Sequence, residues 1–110
     1  MKVLALLALL ALTVIYARVA RAGGDAGRVV AAFMCIHKYE GAWNDPGAPY
    51  YGGLQMDWTF MQTYGPEFLR AYGTADHWPP AVQMAVAMRA YLSGRGFNPW
   101  PNSARMCGLL

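Results

Sequence analysis

From Arg28 to Glu40 the apolar residues Val29, Phe33 and Ile36 recur at spacings of four and three, and Glu40 follows four further on. That rhythm puts all four on one face of a helix, and Gly41 is a suitable residue to stop it. A dense turn signal comes next, Asn44-Asp45-Pro46-Gly47-Ala48-Pro49. Tyr50 to Met56 is aromatic-rich and broken by two glycines, which suits a short irregular strand or hairpin. Asp57 can cap a short helix reaching about Gln62. Pro66-Glu67 opens another, which runs to Tyr72 and ends at Gly73. Pro79-Pro80 introduces the last long helix, Ala81 to Ser93, stopped by Gly94. It is apolar on nearly every side, with Gln83 and Arg89 as exceptions, and therefore reads as central and buried. Asn98-Pro99-Trp100-Pro101 reads as an extended bracket leading to Cys107. The pattern predicts one small α+β domain, mainly helical, with a short irregular β segment after its first helix.

The first residues have a different character. Val3 to Ala17 is an apolar run interrupted by Thr13, and Ala20-Arg21-Ala22 has the small-x-small form that a signal peptidase accepts. Fifteen residues rise about 22 Å as a helix, short of a hydrocarbon core of about 30 Å. The expectation is a signal peptide over 1–22, cleaved after Ala22, and a single domain over 23–110. A retained anchor is the competing reading. The membrane is otherwise no partner. Export puts Cys35 and Cys107 where disulfides persist. A bridge between them would staple a small core, and two free thiols are the alternative.

Charge narrows the partners. The net charge of +3 comes from Lys2, Arg18 and Arg21, all in the leader. The remaining body carries six basic and six acidic residues, so it has no basic stripe for a nucleic acid. Two cysteines with no histidine at ligand spacing give no metal site. There is no phosphate loop, no dinucleotide fingerprint and no serine elbow, and no cofactor is implied.

Two glutamates remain as candidate acids. Glu67 sits in the first turn of a helix, where an anion meets the positive end of the dipole. Glu40 sits at a helix C-terminus, on the apolar face, with aromatic and glycine-rich residues close behind. Both features disfavour its charged form and suit a carboxyl that donates a proton near neutrality. Trp43, Tyr50 and Tyr51 offer flat faces for sugar rings. Gly52 and Gly53 would let a bulky polymer approach the backbone. Gln55 offers a donor and an acceptor to an N-acetyl group. Asp45 and Asp57 are the candidates for a second carboxylate, with turn formation and helix capping as their alternative roles. His37 points to another face than Glu40, and His77 packs or caps in its loop.

The order Glu40, Trp43, turn, Tyr50-Tyr51-Gly52-Gly53-Leu54-Gln55 resembles the catalytic stretch of the resuscitation-promoting factor domain, a small member of the lysozyme and lytic-transglycosylase superfamily. Cys35, Trp100-Pro101 and Cys107 recur in the same order as in that family. Cys35 lies five residues before Glu40 rather than next to it, Gly41-Ala42-Trp43 shortens the family's stretch, and Cys107 comes later. The resemblance implies a small lysozyme-like fold with one disulfide. It implies a monomeric, secreted or wall-associated glycosidase, a muramidase or lytic transglycosylase, whose partner is the peptidoglycan glycan strand. Glu40 would protonate the oxygen between N-acetylmuramic acid and N-acetylglucosamine. Trp43, Tyr50, Tyr51, Gln55 and Asp57 would line the substrate. A non-catalytic wall-binding or signalling module is the alternative.

Overall fold

A computed structural model describes residues 24–110 of the chain. The expected leader over 1–22 and the domain boundary at 23 lie outside the described residues.

Residues 24–40 are helical, α1. The helix covers four more residues than the apolar rhythm predicts. Asp25 stands in its opening turn and pairs with Arg28 one turn on, at 2.6 Å, an arrangement that favours a helix start. Phe33 and Ile36 on the predicted face are fully buried. The Phe33 ring meets Trp100 edge-on at 5.0 Å and Phe97 at 5.3 Å between centroids.

Asp57 caps α2, Trp58–Tyr64, by accepting the Phe60 amide at 2.8 Å. Helix α3 spans Pro66–Tyr72 and stops at Gly73, whose φ of 79° few other residues adopt. A 3-10 turn over Ala75–His77 leads to α4, Pro80–Ala90. The helical backbone continues through Tyr91 to Ser93, as the pattern predicts. Gly94 ends it with a φ of 105°, and the Gly96 amide closes the turn onto the Tyr91 carbonyl at 3.3 Å. The Ser93 hydroxyl donates to the Ala90 carbonyl at 2.6 Å, a side-chain bond that competes with the helical ladder. Helix α4 buries one face, Gln83, Val86, Ala87 and Ala90, and leaves Ala81, Ala85 and Arg89 exposed. It is central without being enclosed.

Two expectations need correction. The tail is no extended bracket from Pro101 onward. Pro101–Met106 is helix α5, because a proline at the first helical position is already in helical geometry. The β segment shrinks to one antiparallel bridge, Tyr51 with Met56, whose two amide bonds measure 3.0 and 2.9 Å. No longer ladder occurs among the described residues.

Cys35 of α1 and Cys107 at the end of α5 are bonded, with Cα atoms 6.0 Å apart and 72 positions between them in sequence. Closing so long a loop restricts the unfolded chain by about 4 kcal/mol in the chain-entropy picture. The bridge ties the first helix to the last, and the aromatic core of Phe33, Phe60, Trp78 and Trp100 fills the space between. The fold is mainly helical, with one disulfide.

Candidate functional site

The irregular segment between α1 and α2 carries most of the candidate residues, and it is held from beneath. Gln83, fully buried on α4, accepts the Gly53 amide at 2.8 Å through Oε1. Its Nε2 donates to the Trp43 carbonyl at 2.8 Å and the Trp78 carbonyl at 3.0 Å. The Trp100 indole donates to the Leu54 carbonyl at 2.7 Å. Two side chains from distant parts of the sequence thus satisfy the backbone of a segment that has almost no secondary structure of its own.

The two glycines serve this packing. Gly52 has a φ of 76°, and a Cβ there would lie 2.5 Å from Gln83 Oε1. A Cβ on Gly53 would lie 2.4 Å from the Trp43 ring and 2.6 Å from His37 Nδ1. Both glycines are buried. They make room for Gln83, Trp43 and His37, and not for an approaching polymer as the sequence suggested.

Trp43 stacks on His37 with centroids 3.7 Å apart and planes 18° from parallel. His37 Nδ1 donates to the Gly53 carbonyl at 2.9 Å. The carbonyl can only accept, so the proton sits on Nδ1. The outer face of Trp43 looks onto an apolar surface with Val30, Met34 and Met84.

A separate groove of about 230 Å³ runs along α2. Tyr50, Gln55 and Asp57 line it, Trp100 and Phe60 form its floor, and Tyr64 and Arg95 also border it. Tyr50 is half-exposed there. Tyr51 does not face this groove. Its pairing with Met56 alternates the two tyrosines, and Tyr51 packs against the core and a shallow recess beside Trp58. Of the five expected substrate residues, Tyr50, Gln55 and Asp57 share the groove, while Trp43 and Tyr51 lie elsewhere.

Glu40 ends α1 and is half-buried. Its Oε1 accepts the Ser103 hydroxyl at 2.6 Å. Ser103 lies on α5, one turn from the groove residue Trp100, and is itself buried. Glu40 does not line the groove directly, but its neighbour Gly41 adjoins Gln55. A Cβ on Gly41 would lie 3.0 Å from Gln55 Nε2 and 3.1 Å from Asp45 Oδ2. Gln55 and Trp100 are thus the lining residues that lead to Gly41 and Glu40, the first directly and the second through Ser103.

Gln55 has a φ of 50°, the one non-glycine residue with positive φ among the described residues. Its Nε2 donates to Asp45 Oδ2 and to the Gly52 carbonyl, both at 2.9 Å. Such uncommon backbone geometry persists where the surroundings enforce it, and it clusters at functional sites. Asp45 also accepts the Gly47 amide at 3.0 Å through Oδ1, so one oxygen holds the turn and the other holds Gln55. Asp57 is engaged at Oδ1 by the helix cap.

No family model, no curated protein and no solved structure matches this chain. The site is therefore read from its own geometry and from the motif in its sequence.

At the C-terminal end of α2 the Arg95 guanidinium lies 5.9 Å from the centroid of the Tyr64 ring, and the Tyr64 hydroxyl is 3.4 Å from Ser93 Oγ. The Ser93 hydroxyl, and after it the Arg95 side chain, hold the Tyr64 phenol below its ordinary pKa. Among the described residues no three His, Cys, Asp or Glu side chains gather as a metal site would require. His77 is exposed beside Asp76, 3.4 Å away. Glu67 pairs with Arg89 across α3 and α4.

Gln83, Ser103 and Arg95 escaped the sequence reading. Gln83 left one trace, as a lone polar residue in an otherwise apolar stretch behind Pro79-Pro80. Ser103 and Arg95 left none, because their relevance depends on the course of the chain beyond Gly94 and on the helix at 101–106.

Proposed function

We propose that this chain is an exported enzyme that cuts peptidoglycan glycan strands between N-acetylmuramic acid and N-acetylglucosamine, on a small lysozyme-like fold, with Glu40 as general acid. The observation that most supports this reading is the setting of Glu40. It ends a helix that buries Phe33 and Ile36, has one oxygen held by Ser103, and is followed by Gly41, which lies against the groove residue Gln55. A half-buried carboxyl fixed by one hydroxyl keeps a second oxygen for a substrate proton. The motif of Glu40 through Gln55 and the Cys35–Cys107 bridge add to it.

The lytic route needs no second carboxylate and is the one we propose. Asp45 has its oxygens engaged by the Gly47 amide and the Gln55 side chain, and Asp57 caps α2 through Oδ1. In the lytic route Glu40 gives its proton to the glycosidic oxygen as the bond from C1 breaks. The muramoyl 6-hydroxyl oxygen then closes on C1, and its proton returns to Glu40. The acid is regenerated, and the product carries an anhydro end in place of a reducing end.

A non-catalytic wall-binding module is the second reading. It draws on the fact that Glu40 is not itself on the groove wall. Mass spectrometry of a digest of purified walls separates the two. The wild type should release muropeptides one water lighter than hydrolysis would give, and Glu40→Gln should release none above the blank. Equal release by both proteins overturns the enzyme reading. Wall binding with no release by either selects the module.

A further inference from the structure

Arg95 occupies an unusual position. It lies in the turn that ends the long helix, between Gly94 at φ 105° and Gly96 at φ 56°. Here the turn brings a cation to the border of the groove, beside Tyr64 at the C-terminal end of α2. Arg95 has no carboxylate partner among the described residues, as is also true of Arg70 and Arg105, and it alone of these three borders the groove. The other charged lining residue, Asp57, stands at the N-terminal end of α2, away from Tyr64. Between them the lining is uncharged, with Tyr50, Gln55, Thr59 and Thr63.

The groove is therefore polarised along its length. A guanidinium can donate to the hydroxyls of a neutral sugar, but it binds a carboxylate more strongly, with two parallel charge-assisted N–H bonds. We propose that the Tyr64–Arg95 end of the groove is a carboxylate-binding subsite, which selects acid-bearing glycan over neutral glycan. This rests on the groove being the glycan site proposed above. The carboxylate can belong to the lactyl ether of a peptide-free muramic acid or to the peptide attached to it, and both present the same group to Arg95.

Binding of three probes to the whole chain tests this, on a Glu40→Gln background so that nothing is cut. The probes are a chitotetraose, which is neutral, a peptide-free muramic acid oligosaccharide, and a muramyl peptide of the same sugar length. Side-chain NMR of the arginine Nε–H groups and calorimetric affinity are read together. The expected result is tighter binding of a carboxylate probe than of chitotetraose, by about threefold to tenfold, with the Arg95 Nε–H signal shifted. Arg95→Gln should abolish the difference between the probes, and Arg95→Lys should restore part of it. Rising salt should shrink it. Whichever carboxylate probe binds more tightly identifies the source of the group. Equal affinity for all three probes, or a preference that survives Arg95→Gln, overturns the subsite and leaves the glycan groove standing. Failure of every probe to bind overturns both.

Discussion

The Ser103 hydroxyl donates to Glu40 Oε1 at 2.6 Å, joining residues 63 positions apart in sequence. The disulfide between Cys35 and Cys107 joins the same two helices four or five residues away on each. The glutamate is thereby anchored by a covalent tie and by a hydrogen bond between one pair of elements. Ser103→Ala removes the bond without adding bulk. It should cost about 1 kcal/mol in urea unfolding and lower wall cleavage severalfold, with muropeptide release as the readout. Unchanged cleavage would show that Ser103 does not position the acid.

Reduction of the disulfide, or paired Cys35→Ser and Cys107→Ser changes, should lower stability by about 4 kcal/mol. Because the bridge and the Ser103 bond act on the same helix pair, cleavage should fall with the protein still folded at low temperature. Thermal unfolding under reducing and non-reducing conditions, followed by circular dichroism, measures the first effect, and wall digestion at low temperature the second.

Gln83→Leu should be among the most damaging single changes. It leaves the Gly53 amide and the Trp43 and Trp78 carbonyls without their partner, and an unsatisfied buried group costs about 1–3 kcal/mol. The loss should be at least about 3 kcal/mol. Hydrogen exchange should accelerate at the Gly53 amide before it does in α2, which would locate the damage in the 41–57 segment.

Gly53→Ala tests the close packing of Trp43 and His37 over that glycine. The added methyl has no space, so the stacked pair must move. A destabilisation of about 1–3 kcal/mol is expected, together with a change in tryptophan fluorescence. An unaltered spectrum would contradict the stacked geometry.

The acid limb of stability should report Glu67. Its pKa is lowered from the ordinary carboxylate value, first by the hydrogen bond from Arg89. A carboxylate whose folded pKa is depressed contributes stability that is present above its unfolded pKa of about 4.3. The contribution fades below that value and is gone once the pH has fallen through the folded pKa. Glu67→Gln should flatten this part of the curve, with melting temperatures at pH 5 and pH 2.5 as the comparison. Both partners are exposed, so the difference should be small and should shrink in salt.

Local signals in the sequence were legible where one residue decides an outcome. Asp57 caps α2 because its carboxylate reaches the Phe60 amide. Pro66 and Gly73 bound α3 because one fits the first helical position and the other adopts a positive φ. The face of Phe33, Ile36 and Glu40 follows from spacing alone. What could not be read is what depends on partners far away in the chain. The alternation at Tyr50 and Tyr51 decides which ring meets the groove, and a single bridge to Met56 sets that register. The inward turn of Trp43 depends on His37 and Gly53. The glycine pair was read as open space because the sequence does not show that Gln83, thirty residues on, fills it. Asp45 was legible as a turn former and not as the residue that holds Gln55.

The choice of an amide at position 83 has a consequence for how this molecule responds to acid and base. Glutamine has no proton to gain or lose across the range in which carboxylic acids and imidazoles change state. The contacts that it makes to the 41–57 segment keep the same strength throughout that range. Any loosening of that segment with pH must therefore begin at contacts other than those of Gln83.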